Sequence, residues 1–216
     1  MAGSRGRMNC WRGALLTVLA AASALAGATD RTVESAKVTL QPPAWPIDSF
    51  ELIDHEGEAF NLDALRRRWT FVVFGSTACG APCDHALSTL ASLRGTIDKF
   101  RVARHTQVVL VSLDPQVDTR ERLRRHLLRF DSSFVGASGK PADIDTLAHA
   151  LNAPRRVGDS AGGWLAGAAI HLVDPEQRLW ADFHPPFDVK SLTAAYLKMR
   201  TCWPHALAAD GRCDRR

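Results

Sequence analysis

The sequence predicts an α/β fold, a central mixed sheet flanked by helices, and three observations predict it. Trp69-Thr70-Phe71-Val72-Val73-Phe74-Gly75 is a nearly continuous apolar run of β-branched and aromatic residues, the composition of a strand buried on both faces. Ser76-Thr77-Ala78-Cys79-Gly80-Ala81-Pro82-Cys83 follows at once, and then Leu87, Leu90, Leu93 and Ile97 recur at helical spacing, so a strand passes through a cysteine-bearing turn into a helix. Beyond it, strand-like and helix-like segments alternate, as in βαβ units.

Taken in order, residues 1–28 stand apart from the domain. Arg5, Arg7 and Arg12 precede an uncharged apolar run from Ala14 to Ala26 that ends in small residues, the layout of a secretory signal peptide. The run is shorter than the roughly 20 residues of a comfortable bilayer span, so a cleaved signal is expected ahead of a retained membrane anchor. Either implies an exported chain, placed in the periplasm, with attachment to the inner membrane in the second case. Residues 29–46, with Gln41-Pro42-Pro43-Ala44-Trp45-Pro46, read as an extended tether.

The domain is expected over 47–200. It opens with a hairpin, 50–54 and 58–61 around His55-Glu56-Gly57, then a helical turn at 62–65 and the central strand at 69–75. Strand 107–112, helix 119–130, strand 133–136 and helix 142–151 come next. A Gly-rich segment, 155–167, precedes a second hairpin, 168–174 and 178–183, and helix 192–199 closes the domain, leaving a tail at 201–216. A cysteine turn after a parallel strand, a terminal hairpin and a last helix make a thioredoxin-like arrangement, with an extra N-terminal β-hairpin.

Composition narrows the function. The chain has 216 residues, 46% hydrophobic and 23% charged, enough for one buried core. Its net charge of +4 falls to +1 once the three arginines of residues 1–28 are set aside, which argues against a nucleic-acid partner. The runs Arg66-Arg67-Arg68 and Arg120-Glu121-Arg122-Leu123-Arg124-Arg125 read as solvated helix faces. Of five cysteines, Cys10 lies in the leader, and the other four fall into two close pairs in a compartment that permits disulfides.

Cys79 stands where the strand gives way to the helix, so unpaired backbone N–H groups and the positive end of the helix dipole favour its thiolate. Cys83 follows about one helical turn later, so both sulfurs can face one spot. Such a pair closes reversibly as a disulfide or holds a soft ion such as Cu(I). A purely structural bridge there would close too short a loop to remove much unfolded-state entropy. Cys202 and Cys213 flank a polar tail that would otherwise fray, and a structural disulfide is expected between them. Asp114 and Asp118 are expected to serve locally, Asp114 in an Asp-Pro turn and Asp118 or Thr119 as the cap of the following helix.

In combination these residues resemble the Sco/SenC family, thioredoxin-fold copper chaperones tied to assembly of the copper centre of cytochrome c oxidase. The resemblance covers about 48–200. It is carried by Phe50-Glu51-Leu52-Ile53-Asp54 with Gly57, by Val73 to Cys79 with Cys83, by Ser112-Leu113-Asp114-Pro115 with Asp118-Thr119, and by Ile170–Pro175 and Pro185-Pro186-Phe187-Asp188. It implies copper held by Cys79, Cys83 and one histidine shortly before the strand matched by Ile170–Asp174. At that histidine position this chain has Ala166, and 162–170 contains no histidine. The family's prolines flanking the second cysteine are replaced by Gly80 and Asp84. His171 is the nearest candidate third ligand, about five residues or roughly 16 Å along an extended strand. His85 and His184 rank behind it, and the remaining histidines, His126 among them, read as surface residues.

The resemblance implies a protein partner, a respiratory oxidase subunit or another copper or thiol protein. Two readings of Cys79 and Cys83 stand side by side. One is copper presentation in oxidase assembly. The other is a partner-specific periplasmic thiol-disulfide oxidoreductase with no metal role, in which Cys79 attacks and Cys83 resolves. Because no proline lies between Pro154 and Pro175 to stand opposite the dithiol, as in general thioredoxin-like reductants, the redox reading is a narrow one.

Overall fold

The structure, a computed structural model, describes residues 37–153, 167 and 169–203. In chain order it has β1 (Lys37–Pro46), β2 (Leu52–Asp54), β3 (Ala59–Phe60), α1 (Leu62–Leu65), β4 (Trp69–Gly75), α2 (Ala81–Asp98), a 3-10 turn (Ala103–His105) and β5 (Thr106–Ser112). Then come α3 (Arg120–Leu127), β6 (Val135–Gly139), α4 (Pro141–Ala150), β7 (Ile170–Val173), β8 (Arg178–His184) and α5 (Val189–Cys202). One eight-stranded sheet runs in the order β1-β8-β7-β4-β5-β6-β2-β3. β4 is parallel to β5 and β5 to β6, while the remaining pairs are antiparallel, which gives the expected mixed sheet.

β4 is buried at all seven positions, as its apolar run requires. Its alternation divides the interior into two cores. Trp69, Phe71 and Val73 point to one face, where they meet Leu87, Leu90 and Leu93 of α2, Leu123 and Leu127 of α3, and Leu192 and Tyr196 of α5. Val72 and Phe74 point to the other, with Phe50, Phe60, and Ile144 and Leu147 of α4. Each fully buried Leu or Phe here contributes roughly 1.5–3 kcal/mol relative to exposure.

Local chemistry sets the helix starts. Asn61 caps α1 by accepting from the Asp63 N–H, Pro82 lies in the first turn of α2, and Thr119 caps α3 by accepting from the Arg122 N–H. Asp188 accepts from Ser191, so α5 starts at Val189 rather than at the expected 192. The anticipated N-terminal hairpin is β2 and β3, attached through β2 to β6 at one sheet edge.

The opposite edge departs from expectation. Residues 37–46, assigned from the sequence to the tether, form β1 and pair with β8 from Lys37 opposite His184 to Pro46 opposite Arg178. Proline-bearing extended chain and edge strand share the same backbone region, and an edge strand tolerates the missing N–H groups. What distinguishes them is Val38 and Leu40, which pack against the first core.

Candidate dithiol site

The site grows from the carboxyl end of β4. Gly75 accepts from the Leu113 N–H at 2.7 Å, holding the ends of β4 and β5 together. The chain then folds back on itself, with the Cys79 N–H donating to the Ser76 carbonyl at 3.2 Å, and enters α2 through Gly80, whose φ of 73° lies in the left-handed region that glycine tolerates. No side chain caps α2 by a hydrogen bond, and the cysteines share the positive end of its dipole with Asp84 in the first turn. Cys79 and Cys83 are joined as a disulfide, their Cα atoms 5.9 Å apart.

The two sulfurs are not equivalent. Cys83 is fully buried, whereas Cys79 is half-buried. Cys83 lies against the end of β4 so closely that a Cβ on Gly75 would fall 2.6 Å from its Sγ, which explains the glycine. A second close approach comes from Gly167, whose N–H donates to the Phe74 carbonyl at 2.8 Å. A Cβ there would meet the Cys83 N at 2.8 Å, and its φ of 65° is again left-handed. Nothing larger than glycine lets the chain pass over the helix start at this point.

Asp118 holds the cysteine loop. Its carboxylate accepts from the Thr77 N–H at 3.1 and 3.2 Å, from Thr77 Oγ1 at 2.5 Å and from Ser112 Oγ at 2.7 Å. Ser112 Oγ in turn accepts from the Asp114 N–H at 3.1 Å, and Arg122 Nη2 donates to Thr77 Oγ1 at 3.2 Å. This corrects the expected local role of Asp118. Thr119 alone caps α3 with its side chain, while Asp118 is turned inward, nearly inaccessible, and spans 41 residues to the loop. A buried carboxylate needs this many donors to offset its desolvation. The Ser-x-Asp-Pro-x-x-Asp-Thr pattern carried the signal, but local spacing could not name Thr77 as the partner.

His171 does not join the sulfurs. It pairs in register with Val72, so its side chain falls on the second face, in edge contact with Phe74 at 5.6 Å between ring centroids. Its Nδ1 lies 2.7 Å from Asp182 Oδ1. Cys83 belongs to the other face, and among the described residues no three His, Cys, Asp or Glu side chains converge as a metal site. The candidate third ligand is therefore separated from the dithiol by the sheet, as strict alternation along β7 dictates. Phe74, for the same reason, is a core residue. Ala166 lies outside the described residues.

Beside the dithiol, His85 tilts over Phe187 with centroids 5.7 Å apart. Asp84, where the family pattern has proline, faces α3: Arg129 Nη2 reaches its Oδ2 at 3.3 Å, and His126 Nε2 stands 3.8 Å from its Oδ1. His126, expected on the surface, is 7% exposed. Burial pushes its pKa down from 6.5, Arg129 adds to the effect, and Asp84 and Asp118 oppose it. Cys202 is disulfide-bonded, and its expected partner Cys213 lies outside the described residues.

Comparison with known proteins agrees with this geometry. The SCO1/SenC family model matches residues 39–200. A "Putative copper-binding protein" of Stutzerimonas stutzeri is 31% identical over 149 residues, 68% of this chain and 72% of the relative. "Protein SCO1 homolog 1, mitochondrial" of Arabidopsis thaliana is 27% identical over 154 residues, 69% of this chain and 45% of the relative. The chain spans about half the length of that protein and of SCO2-like relatives from Rickettsia. Among solved structures, Arabidopsis thaliana ScoI with copper bound superposes with a TM-score of 0.64 at 24% identity, covering 72% of this chain and 98% of that one. Bradyrhizobium japonicum ScoI with copper bound gives 0.56 at 27% identity over 71% and 98%. With the family model spanning the sheet from β1 to α5 and the cysteine loop at its centre, the chain belongs to the SCO1/SenC family.

Proposed function

We propose that this chain is an exported dithiol protein that serves assembly of a copper centre, such as that of cytochrome c oxidase, by thiol-disulfide exchange with cysteines of its partner. The observation that carries the reading is the asymmetry of the bonded pair: one half-buried cysteine at a helix start and one sealed against β4. In the reduced protein, the Cys79 thiolate attacks a disulfide of the partner, forming a mixed disulfide and releasing one partner thiolate. The Cys83 thiolate then attacks Cys79 Sγ, closing the intramolecular bond and releasing the second. Two electrons pass to the partner, and an external dithiol reductant restores the pair. The apolar leader supports a periplasmic setting, with a retained inner-membrane anchor as the alternative.

Copper as cargo is the second reading, favoured by the convergence of two soft sulfur ligands and by the relatives whose names record copper. When reduced, Cys79 and Cys83 would hold Cu(I) as thiolates. No third ligand stands beside them among the described residues.

Two measurements separate these readings. A redox titration of Cys79 and Cys83 is expected to give a potential near that of exported thiol systems; a value below about −300 mV marks a structural bridge and ends the exchange reading. Competition for one equivalent of Cu(I) between reduced protein and a chelator tests the cargo. Equal, poor retention by wild type and Cys79→Ser removes it.

A further inference from the structure

The amino end of β4 borders a cleft that the dithiol chemistry does not use. Trp69 of β4, Pro175 in the turn between β7 and β8, and Trp203 at the end of α5 wall a space of about 530 Å³, at the opposite end of the strand from the cysteine loop. That volume lies within the roughly 300–1,000 Å³ of small-molecule sites, which combine apolar walls with a few convergent polar groups. Trp69 is nearly inaccessible, and Trp203, half-buried, stands edge-on to it at 6.5 Å between ring centroids.

The polar groups left without partners here are donors. Trp203 Nε1 is buried and has no hydrogen-bond partner, an unmade bond that costs about 1–3 kcal/mol. Arg67 lines the cleft and makes no ion pair or side-chain hydrogen bond among the described residues. Its backbone N–H donates to the Pro175 carbonyl at 3.0 Å and its φ of 61° is left-handed, uncommon for a residue with a side chain, so its place against the β7–β8 turn is fixed. Arg200 Nη1 donates to the Tyr196 hydroxyl at 3.4 Å, which leaves the rest of its guanidinium open. Glu176, the acid lining the cleft, is already held, because Arg178 Nη2 reaches its Oε2 at 2.9 Å and Asp174 Oδ2 at 2.6 Å. Arg104 donates through Nε to Nε2 of the lining His105 at 3.1 Å. Arg67, Arg104, Arg178 and Arg200 thus stand against Asp174 and Glu176, an excess that the partial negative charge at the carboxyl end of α5 does not cancel.

We propose that this cleft binds a small organic anion, a carboxylate carried on a flat apolar body. The body lies against Trp203 and Pro175, and the carboxylate oxygens accept from the guanidinium groups of Arg67 and Arg200 and from Trp203 Nε1. Planar guanidinium forks match the geometry of a carboxylate, and both oxygens of the ligand only accept, as a site made of donors requires. A neutral amide of the same shape loses the charge and brings an NH2 group against those donors.

Naphthoate and naphthamide, alike in shape and different in charge, test the site directly. Each is titrated into the isotopically labelled full chain while the tryptophan indole N–H signals are followed by NMR. Naphthoate is expected to bind about tenfold more tightly than the amide and to move the Trp203 Nε1–H signal downfield, as a new hydrogen bond to a carboxylate does. Arg67→Gln removes a side chain that holds no other contact by charge or hydrogen bond, and should weaken naphthoate about tenfold while leaving naphthamide as it was. Trp203→Phe keeps a ring in the wall, removes the donor and should likewise weaken naphthoate alone. Lys140→Gln takes one positive charge from a different cleft, beside β2 and β6, and should change nothing. Equal affinity for the two compounds, an unmoved Trp203 signal, wild-type binding by Arg67→Gln, or a loss in Lys140→Gln as large as in Arg67→Gln overturns the proposal. Failure of both compounds to bind overturns it as well, including the case in which another segment of this chain fills the cleft.

Discussion

The two ends of β4 use different physics. At its amino end, Trp69 stands edge-on to Trp180, Tyr196 and Trp203, with centroids 5.8, 5.9 and 6.5 Å away, and the Tyr196 hydroxyl at the rim of this cluster lies 2.6 Å from Thr106 Oγ1. At its carboxyl end the strand stops at a glycine, and a polar lashing of Asp118, Thr77 and Ser112 takes over. Apolar packing fixes the scaffold at one end. Hydrogen bonds at the other hold a loop in place while keeping one sulfur in reach of solvent.

That division can be broken by substitution. Trp69→Ala empties the aromatic cluster and is expected to cost about 3–5 kcal/mol in chemical denaturation. Under folding conditions its rate of disulfide opening should match wild type; a changed rate means that the two ends are coupled. Asp118→Asn keeps the size of the clamp but replaces an oxygen that only accepts with a group that donates. It should cost about 1–3 kcal/mol and, unlike Trp69→Ala, alter the rate at which small thiols open Cys79–Cys83. Tyr196→Phe removes one buried hydrogen bond and should cost about 1 kcal/mol, with no change in exchange.

The smallest effect concerns pH. Because His126 takes up a proton less readily folded than unfolded, its contribution to stability is complete above its ordinary value of 6.5 and drains away as pH falls through the lower folded value. Denaturation midpoints of wild type should therefore fall more steeply below pH 6.5 than those of His126→Gln. Parallel curves would show that the imidazole is not held neutral between α2 and α3.

Where one element's composition settles its state, the sequence and the structure agree residue for residue. β4 and α1 have the expected bounds because a doubly buried apolar run and an Asn-capped turn admit few alternatives. The cysteine pair was legible for the same reason, its strand, loop and helix being contiguous. Apart from the start of α5, where the local Asp188 cap went unread, the misreadings turn on partners distant in sequence. β1 needs β8, more than a hundred residues on, to become a strand. Asp118 needs Thr77, and His126 is buried where Asp84 of α2, 42 residues earlier, faces it. His171 looked reachable along the chain, but strand alternation sends it through the sheet.

Gly167 carries a last consequence. The backbone that returns over the start of α2 is pinned by Phe74 and touches Pro82 and Cys83, although the position before it is alanine instead of histidine. A side chain grafted at 166 would begin one peptide step, about 3.8 Å, from that crossing. The close passage over the start of α2 is thus present where the described residues supply no third donor, and Ala166→His is the substitution expected to tighten the grip of the reduced pair on a soft cation.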